Sequence, residues 1–290
     1  MPGLEGSGIP TLALGDTRIF MPLPLAELFP DEDYRFHLTL RKGDLVEFFN
    51  ESESGALDER RRWLDHDPAR YAAMTPTAGP LLEEMVAWAA ASVGGADSLR
   101  ASPAERTLES LGRALVPDFM LLARDGSSFR LQAAMVCFPS SWEPAAKVGL
   151  DLDAIHQVVP GLNAGLGATI GQFLGKLRPG VAYERANWGL AATPERNLHP
   201  TLERPRLVLP LDLGRIWVRI EDQILGVLPK TGAILFGIRL RIIPLGAILA
   251  EPALHRGFHR ALATLPEELA AYKGLAAVRK DLVERLECGQ

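Results

Sequence analysis

The chain has 290 residues, of which 47% are hydrophobic and 23% are charged, a composition typical of a folded protein with a sizeable core. Its net charge of −5 provides no basic surface field, so neither nucleic acid nor an anionic membrane is an expected partner. Two cysteines are too few for a disulfide framework, a four-cysteine zinc site or an iron–sulfur cluster held by this chain alone. No apolar run is long enough for a bilayer and no secretory signal pattern opens the sequence, so we expect a cytoplasmic protein.

Residues 1–115 are predicted to form an irregular arm followed by a helical region. Alternating residues at Arg35–Leu40 favour a short strand, and the polar segment Arg41–Asp44 favours a turn after it. Helical spacing of apolar residues then extends from Asp44 to about Tyr71, and it returns at Leu81–Val93. This part of the chain is therefore expected to be mainly α-helical.

The middle of the chain, residues 116–250, changes to strand-like patterns. Asp125–Ser128 is a strong hairpin turn, and short helices are expected at Leu152–Val159, Asn163–Leu177 and Asp222–Leu228. The predicted strands are Phe119–Ala123, Phe129–Phe138, Ala182–Leu190, Ile216–Ile224 and Ala233–Ile243. Five such strands can close as one antiparallel sheet with helices on one face. The predicted fold class is therefore α+β with a PAS-like sheet, extended by residues 1–115 and by a helical segment at residues 251–290.

His156 is the first candidate for a functional side chain. Helical spacing places it on the same face as the apolar Leu152 and Val159, and Asp151 or Asp153 can cap the start of the helix. A buried imidazole nitrogen needs a partner. Two interpretations stay open from these residues: a hydrogen bond to a backbone carbonyl, or a metal ligand in an apolar pocket, which is how proteins hold heme.

Arginines inside strand-like segments are the second unusual feature. Arg185 and Asn187 share one face of a strand whose other face carries Trp188, and Arg219 and Arg239 interrupt two further apolar strands. A single arginine within a strand is typical of a solvent-exposed strand at the edge of a sheet. Three on consecutive strands also fit an anion held against the sheet, such as a carboxylate or a heme propionate. An ion-pair network with neighbouring glutamates is the alternative.

Four segments, in this order along the chain, carry a resemblance to a known family. They are VCFPSSWEPAAKVGLDLDAIHQVVPGLN (136–163), LRPGVAYERANWGL (177–190), WVRIEDQILGVLPKTGAILFGIRL (217–240) and LPEELAAYKGL (265–275). Through these motifs the chain resembles the heme-dependent oxidative N-demethylase family. The resemblance is close over roughly residues 115–275 and loose in the N-terminal region.

The resemblance implies a PAS-like domain that binds heme b. It also implies a monooxygenase that uses O₂ to oxidise a methyl group of a small secondary amine, by default dimethylamine, which yields formaldehyde and the primary amine. Electrons would come from a separate NADPH-dependent reductase with flavin and iron–sulfur centres, and this chain has no dinucleotide fingerprint of its own. The oligomeric state stays open, and a homo-oligomer is one option.

By the same resemblance, the histidine of the Ala-Ile-His-x-x-Val-Pro-Gly motif is His156, the candidate axial ligand of the heme iron. Arg185, Asn187 and Trp188 lie in the Arg-Ala-Asn-Trp segment and are expected to line the pocket, with Arg185 and Asn187 as catalytic hydrogen-bond donors. Residues assigned to heme propionates or to pocket walls are Arg219, Lys230, Thr231 and Arg239. Glu221 is the candidate partner for a substrate ammonium group.

Two alternatives belong to a different class of protein. PAS-type domains also serve as heme-based gas or redox sensors, and a family member can bind heme or another ligand without turnover. The sequence contains no kinase-like or DNA-binding segment, which disfavours the sensor, and the presence of His156 disfavours loss of heme.

Overall fold

One antiparallel sheet organises the protein. The computed structural model describes residues 21–36, 40–50, 54–94, 96, 99 and 107–287. The strands in these residues are β1 (Arg41–Gly43), β2 (Ala72–Met74), β3 (Asp118–Asp125), β4 (Ser128–Met135), β5 (Ala182–Ala191), β6 (Trp217–Val227) and β7 (Ile234–Pro244). They lie in the order β1-β5-β6-β7-β3-β4-β2, and every adjacent pair is antiparallel. The predicted α+β class with an antiparallel sheet is confirmed.

Helices flank this sheet on both sides. Those in the described residues are α1 (Leu25–Leu28), α2 (Leu45–Asn50), α3 (Ser54–His66), α4 (Pro68–Tyr71), α5 (Gly79–Ser92), α6 (Leu108–Ala114), α7 (Leu152–His156), α8 (Ala168–Lys176), α9 (Leu245–Leu249), α10 (Pro252–Thr264), α11 (Glu267–Tyr272) and α12 (Arg279–Glu287). A π-helical turn at Asn163–Gly167 leads into α8. No helix within the described ranges is long and apolar enough to cross a membrane.

Two local predictions were wrong. The edge strand lies at Arg41–Gly43, where a turn was predicted, because this segment pairs with the start of β5; residues 37–39 of the predicted strand lie outside the described residues. The helix predicted at Asp222–Leu228 is instead the second half of β6. Asp222 pairs with Ala186 of β5 on one side and with Arg239 of β7 on the other. The hydrogen bonds to both neighbouring strands therefore outweigh the local preference for a helix.

The sheet has one face that we call the site face, defined by Arg185, Asn187, Glu221 and Gln223. The pairs Arg185–Gln223 and Asn187–Glu221 lie directly opposite each other on β5 and β6, and directly opposed side chains share a face. Farther along the same face, Met120, Leu122 and Ile234 pack with residues of α7 and α8. The helices predicted between the second and third strands therefore cover part of the site face.

The opposite face is covered by the N-terminal and C-terminal helices. Phe119, Ile224 and Leu235 belong to a core cluster with α2, α3, α5 and α6. A second cluster joins Trp188 and Ile220 to α9, α10, α11 and α12. Burying a large apolar side chain contributes about 1.5–3 kcal/mol, so both sets of helices contribute to the stability of the sheet.

The N-terminal region also contributes both edge strands. β1 pairs with β5 at one edge of the sheet, and β2 pairs with β4 at the other. The division into residues 1–115, 116–250 and 251–290 stays a prediction.

The N-terminal arm is anchored on α10 through Phe29. Its ring contacts Phe258 and Trp188 edge-on, with centroid separations of 5.2 and 5.4 Å. A Cβ atom at Gly257 would collide with the backbone oxygen of Phe29. Close approach of two backbones therefore requires glycine at position 257.

We expect Gly257→Ala to lower the free energy of unfolding by about 1–3 kcal/mol, because backbone atoms must separate to admit the methyl group. Gly246→Ala is the matched control: this glycine lies in α9 with open space around the Cβ position, so alanine should be neutral or stabilise by about 0.4–1 kcal/mol. Urea denaturation of both variants measures the difference. Equal midpoints would contradict the proposed close approach.

Candidate functional site

His156 lies at the last position of α7, on the side of the sheet that carries the site face. Asp151 caps this helix by accepting a hydrogen bond from the Ala154 backbone N–H at 2.8 Å, as predicted. Leu152 and Ile155 pack into the apolar cluster of α7, α8 and the sheet, which fixes the helix. The imidazole is therefore carried on an anchored turn.

The His156 ring is partly buried, and neither nitrogen is hydrogen-bonded to a residue in the described part of the chain. The alternative of a histidine bonded to a backbone carbonyl is thus not what the structure contains. Burial lowers the pKa of His156, and the nearby positive charges of Lys147 and Arg185 lower it further against an opposing effect of Asp153. A neutral imidazole with a free nitrogen is the form that binds a metal.

Glu221 is held at the centre of the site face by two hydrogen bonds. Its Oε1 accepts from the Ser140 hydroxyl at 2.7 Å, and its Oε2 accepts from the Gln223 amide at 3.0 Å. Each oxygen of an ionised carboxylate can accept more than one hydrogen bond. The carboxylate is therefore fixed in orientation and retains acceptor capacity for a ligand.

Arg219 supports this arrangement from within the fold. Its Nε donates to the Ser140 hydroxyl at 2.9 Å, and its Nη2 donates to the backbone oxygens of Phe138 at 2.7 Å and Arg196 at 2.6 Å. Its Nη1 donates to the backbone oxygen of Glu195 at 3.3 Å. Burial lowers the pKa of Arg219 to about 10, although Glu221 opposes this effect. Since each of its three nitrogens donates to a protein oxygen, Arg219 orients Ser140 and, through it, Glu221.

Three more cations surround Glu221 at longer range: Lys147, Arg185 and Lys273. Burial lowers the pKa of each of them, to about 8 for Lys273, and Glu221 opposes the shift in all three. None of them forms an ion pair with Glu221 in the described structure, and the buried Nε of Arg185 has no hydrogen-bond partner there. The site thus holds more positive than negative charge, an arrangement that favours binding of an anionic group.

The structure does not bring every predicted residue to this site. Trp188 is buried on the opposite face against Phe29 and Phe258. Arg239 also points to that face, where it donates to the backbone oxygen of Phe48 at 2.9 Å. Lys230 and Thr231 lie in the exposed turn between β6 and β7, where the backbone N–H of each donates to the Glu84 carboxylate. Strand alternation explains the first two positions, because neighbouring residues on a strand point to opposite faces.

Sequence reasoning missed four residues of the site: Ser140, Lys147, Gln223 and Lys273. The sequence could have identified Gln223, because a residue two positions after Glu221 on a strand must lie on the same face of the sheet. The other three lie outside the strands. Their approach to Glu221 depends on how loops and the C-terminal helices fold back on the sheet, for which the sequence has no local signal.

As a class, this is an α+β protein with a neutral histidine and a surplus of cations on one face of an antiparallel sheet. A family model described as haem-dependent oxidative N-demethylase, alpha subunit-like, matches residues 39–283. Because the match covers most of the chain, the chain belongs to this family. The family is haem-dependent and oxidative, so the chain is assigned to the heme oxidoreductases.

Proposed function

We propose that the chain is a heme-dependent monooxygenase that removes a methyl group from a small secondary amine, with dimethylamine as the default substrate. The products are the primary amine and formaldehyde, and the reaction takes place in the cytoplasm. The observation that carries this proposal is the neutral imidazole of His156, which has no hydrogen-bond partner among the described residues, beside half-buried cations that form no ion pair within them.

The residues of the site fit heme. His156 would supply a nitrogen ligand to the iron, and Arg185 and Lys147 would supply positive charge for the two propionates. The only cysteines are Cys137 and Cys288, so no Cys-x-x-Cys-His sequence is present for covalent attachment, which supports heme b. We also propose a PAS-like plan for this domain, and the short helices that cover part of the site face of the antiparallel sheet support it.

Bound heme supplies O₂ activation and the oxidation of the N-methyl group. The chain's residues supply recognition and orientation. Glu221 accepts a hydrogen bond from the substrate nitrogen, and its fixed orientation directs the methyl group. Asn187 and Arg185 lie on the same face as Glu221. They are the side chains that would donate hydrogen bonds to the O₂ substrate.

Electrons come from a separate NADPH-dependent reductase that contains flavin and iron–sulfur centres. This partner supplies what the chain lacks, since its sequence contains neither a dinucleotide fingerprint nor enough cysteines for a cluster. The hydroxylated methyl group leaves the nitrogen as formaldehyde without further help from a cofactor.

The test is formaldehyde release from protein reconstituted with heme and supplied with dimethylamine, O₂ and a chemical reductant. We expect turnover in the wild type and a roughly 10- to 100-fold higher KM for the amine in Glu221→Gln, the range for loss of a charged hydrogen bond of about 1.5–3 kcal/mol. Glu268→Gln, on the exposed side of α11, is the matched control and should leave KM unchanged.

Bound heme without turnover of any secondary amine would contradict the proposal and favour the PAS-type sensor. Unchanged turnover in Asn187→Ala would remove Asn187 from the catalytic residues.

A further inference from the structure

The C-terminal helices bring Lys273 to the site. α11 ends in a Schellman motif: the backbone N–H of Leu275 donates to the Ala270 oxygen at 2.7 Å, and that of Gly274 donates to the Ala271 oxygen at 2.9 Å. Gly274 has a φ of 72°, which a residue with a side chain rarely adopts. This motif fixes Lys273 as the last residue before the chain turns away from α11.

The ammonium group of Lys273 reaches β5. Its Nζ donates to the backbone oxygen of Trp188 at 2.6 Å and to the side-chain oxygen of Asn187 at 3.4 Å, and it lies 5.2 Å from the centre of the Trp188 ring. The short bond to the backbone and the cation–π contact fix the ammonium position. The contact with Asn187 is therefore made from an anchored group.

This contact determines which end of the Asn187 carboxamide faces the site. A lysine ammonium group only donates hydrogen bonds, so the amide oxygen must face Lys273 and the amide NH₂ must lie on the other side. No residue in the described ranges accepts a hydrogen bond from that NH₂. A flip of the amide would place its NH₂ against the ammonium group, which is unfavourable.

Charged groups approach Lys273 from each strand beside it. On β6, Glu221 favours the ammonium form; on β5, Arg185 disfavours it; and burial lowers the pKa of Lys273 to about 8. Tyr272, the preceding residue, is near enough to Glu221 for its pKa to be raised by that carboxylate in addition to burial. Lys273 is thus part of the same electrostatic cluster as the proposed substrate anchor.

We propose that Lys273 is a positioning residue that holds the Asn187 amide with its NH₂ directed into the site, ready to donate to an oxygen ligand. This inference rests on the proposed function for the identity of the ligand, and on the contacts of Lys273 for the orientation. The C-terminal helical segment is then a component of the site.

The first experiment measures the carbon monoxide stretching band of the ferrous, heme-loaded protein by infrared spectroscopy, because this band responds to a nearby hydrogen-bond donor. We expect Lys273→Met to move the band in the same direction as Asn187→Ala, and Lys273→Arg to restore it toward the wild-type frequency. Lys280→Met, whose lysine is 91% exposed on α12, should leave it unchanged. A band that moves in Asn187→Ala and stays in place in Lys273→Met overturns the inference while the proposed function stands.

The second experiment needs no heme. Competitive acetylation at pH 8 compares the reactivity of Lys273 in the wild type and in Asn187→Asp, with Lys280 as the internal standard. A carboxylate at this distance raises the pKa of a lysine by at least about one unit, so the neutral fraction of Lys273 at pH 8 falls from about one half to about one tenth or less. Lys273 should therefore react at least about fivefold more slowly in the variant. Equal reactivity overturns the contact between Lys273 and Asn187. A protein that fails to bind heme contradicts the proposed function, and the acetylation result still decides the role of Lys273.

Discussion

Replacing His156 with alanine should abolish the Soret band of a histidine-ligated heme in the reconstituted protein. The imidazole is neutral and free of protein hydrogen bonds among the described residues, so its removal takes away the proposed iron ligand and leaves the cations in place. Loss of a supporting group around a metal ligand typically costs about 10- to 100-fold in affinity, and loss of the ligand itself should exceed that. Titration with hemin, followed by absorbance, measures the affinity.

His66→Ala is the matched control for this prediction. His66 also ends a helix, α3, but it is exposed, so its removal should leave the spectrum unchanged. His156→Gly with added imidazole provides the positive control, because a free imidazole can enter the space left by the side chain and restore ligation. An unaltered Soret band in His156→Ala would show that another group coordinates the iron.

Replacing Asp118 with alanine should lower the free energy of unfolding by about 3–5 kcal/mol, the range for breaking a buried ion pair. Asp118 and Arg60 are both almost fully buried, and their side chains are 2.6 Å apart. Asp118 also accepts hydrogen bonds from the backbone N–H groups of Cys137 at 2.8 Å and Phe138 at 3.0 Å. Alanine leaves the Arg60 charge and both N–H groups without this partner. Urea denaturation measures the loss.

Asp58→Ala is the comparison for Asp118. The pair Asp58–Arg61 lies on the same helix as Arg60, but its side chains are 63% and 48% exposed, so its loss should cost about 0–1 kcal/mol. Equal effects at the two positions would contradict the role assigned to burial. Asp118→Ala should also weaken the site, because the segment it anchors leads directly to Ser140, which holds Glu221.

The segment anchored by Asp118 also contains Cys137, whose environment keeps its thiol protonated. Burial raises the pKa of this thiol to about 12, and the side chain is fully buried. A thiol that stays protonated is a poor nucleophile and a poor metal ligand. Both observations identify Cys137 as a small core residue.

The sequence by itself determined most elements of the middle of the chain. The strand predicted at Ala182–Leu190 ends within one residue of β5, and the helix predicted to begin after Pro266 is α11. The hairpin turn lies between β3 and β4 where the pattern placed it. These predictions succeeded because alternation, proline and turn residues act over a few neighbouring positions. The same alternation put Arg185 and Asn187 on one face and Trp188 on the other.

Only the tertiary structure decided which side chains meet in the site. Glu221 acquires its fixed orientation from Ser140, 81 residues earlier in the chain, and Asn187 contacts Lys273, 86 residues later. Arg239 and Lys230 carry the charge that the site requires, but strand register and the β6–β7 turn place them elsewhere. A charge pattern shows which residues can hold an anion, whereas the packing of loops and helices on the sheet determines which of them reach the same space. For this protein the alternation of β5 specified the face of the site, and long-range packing specified its chemistry.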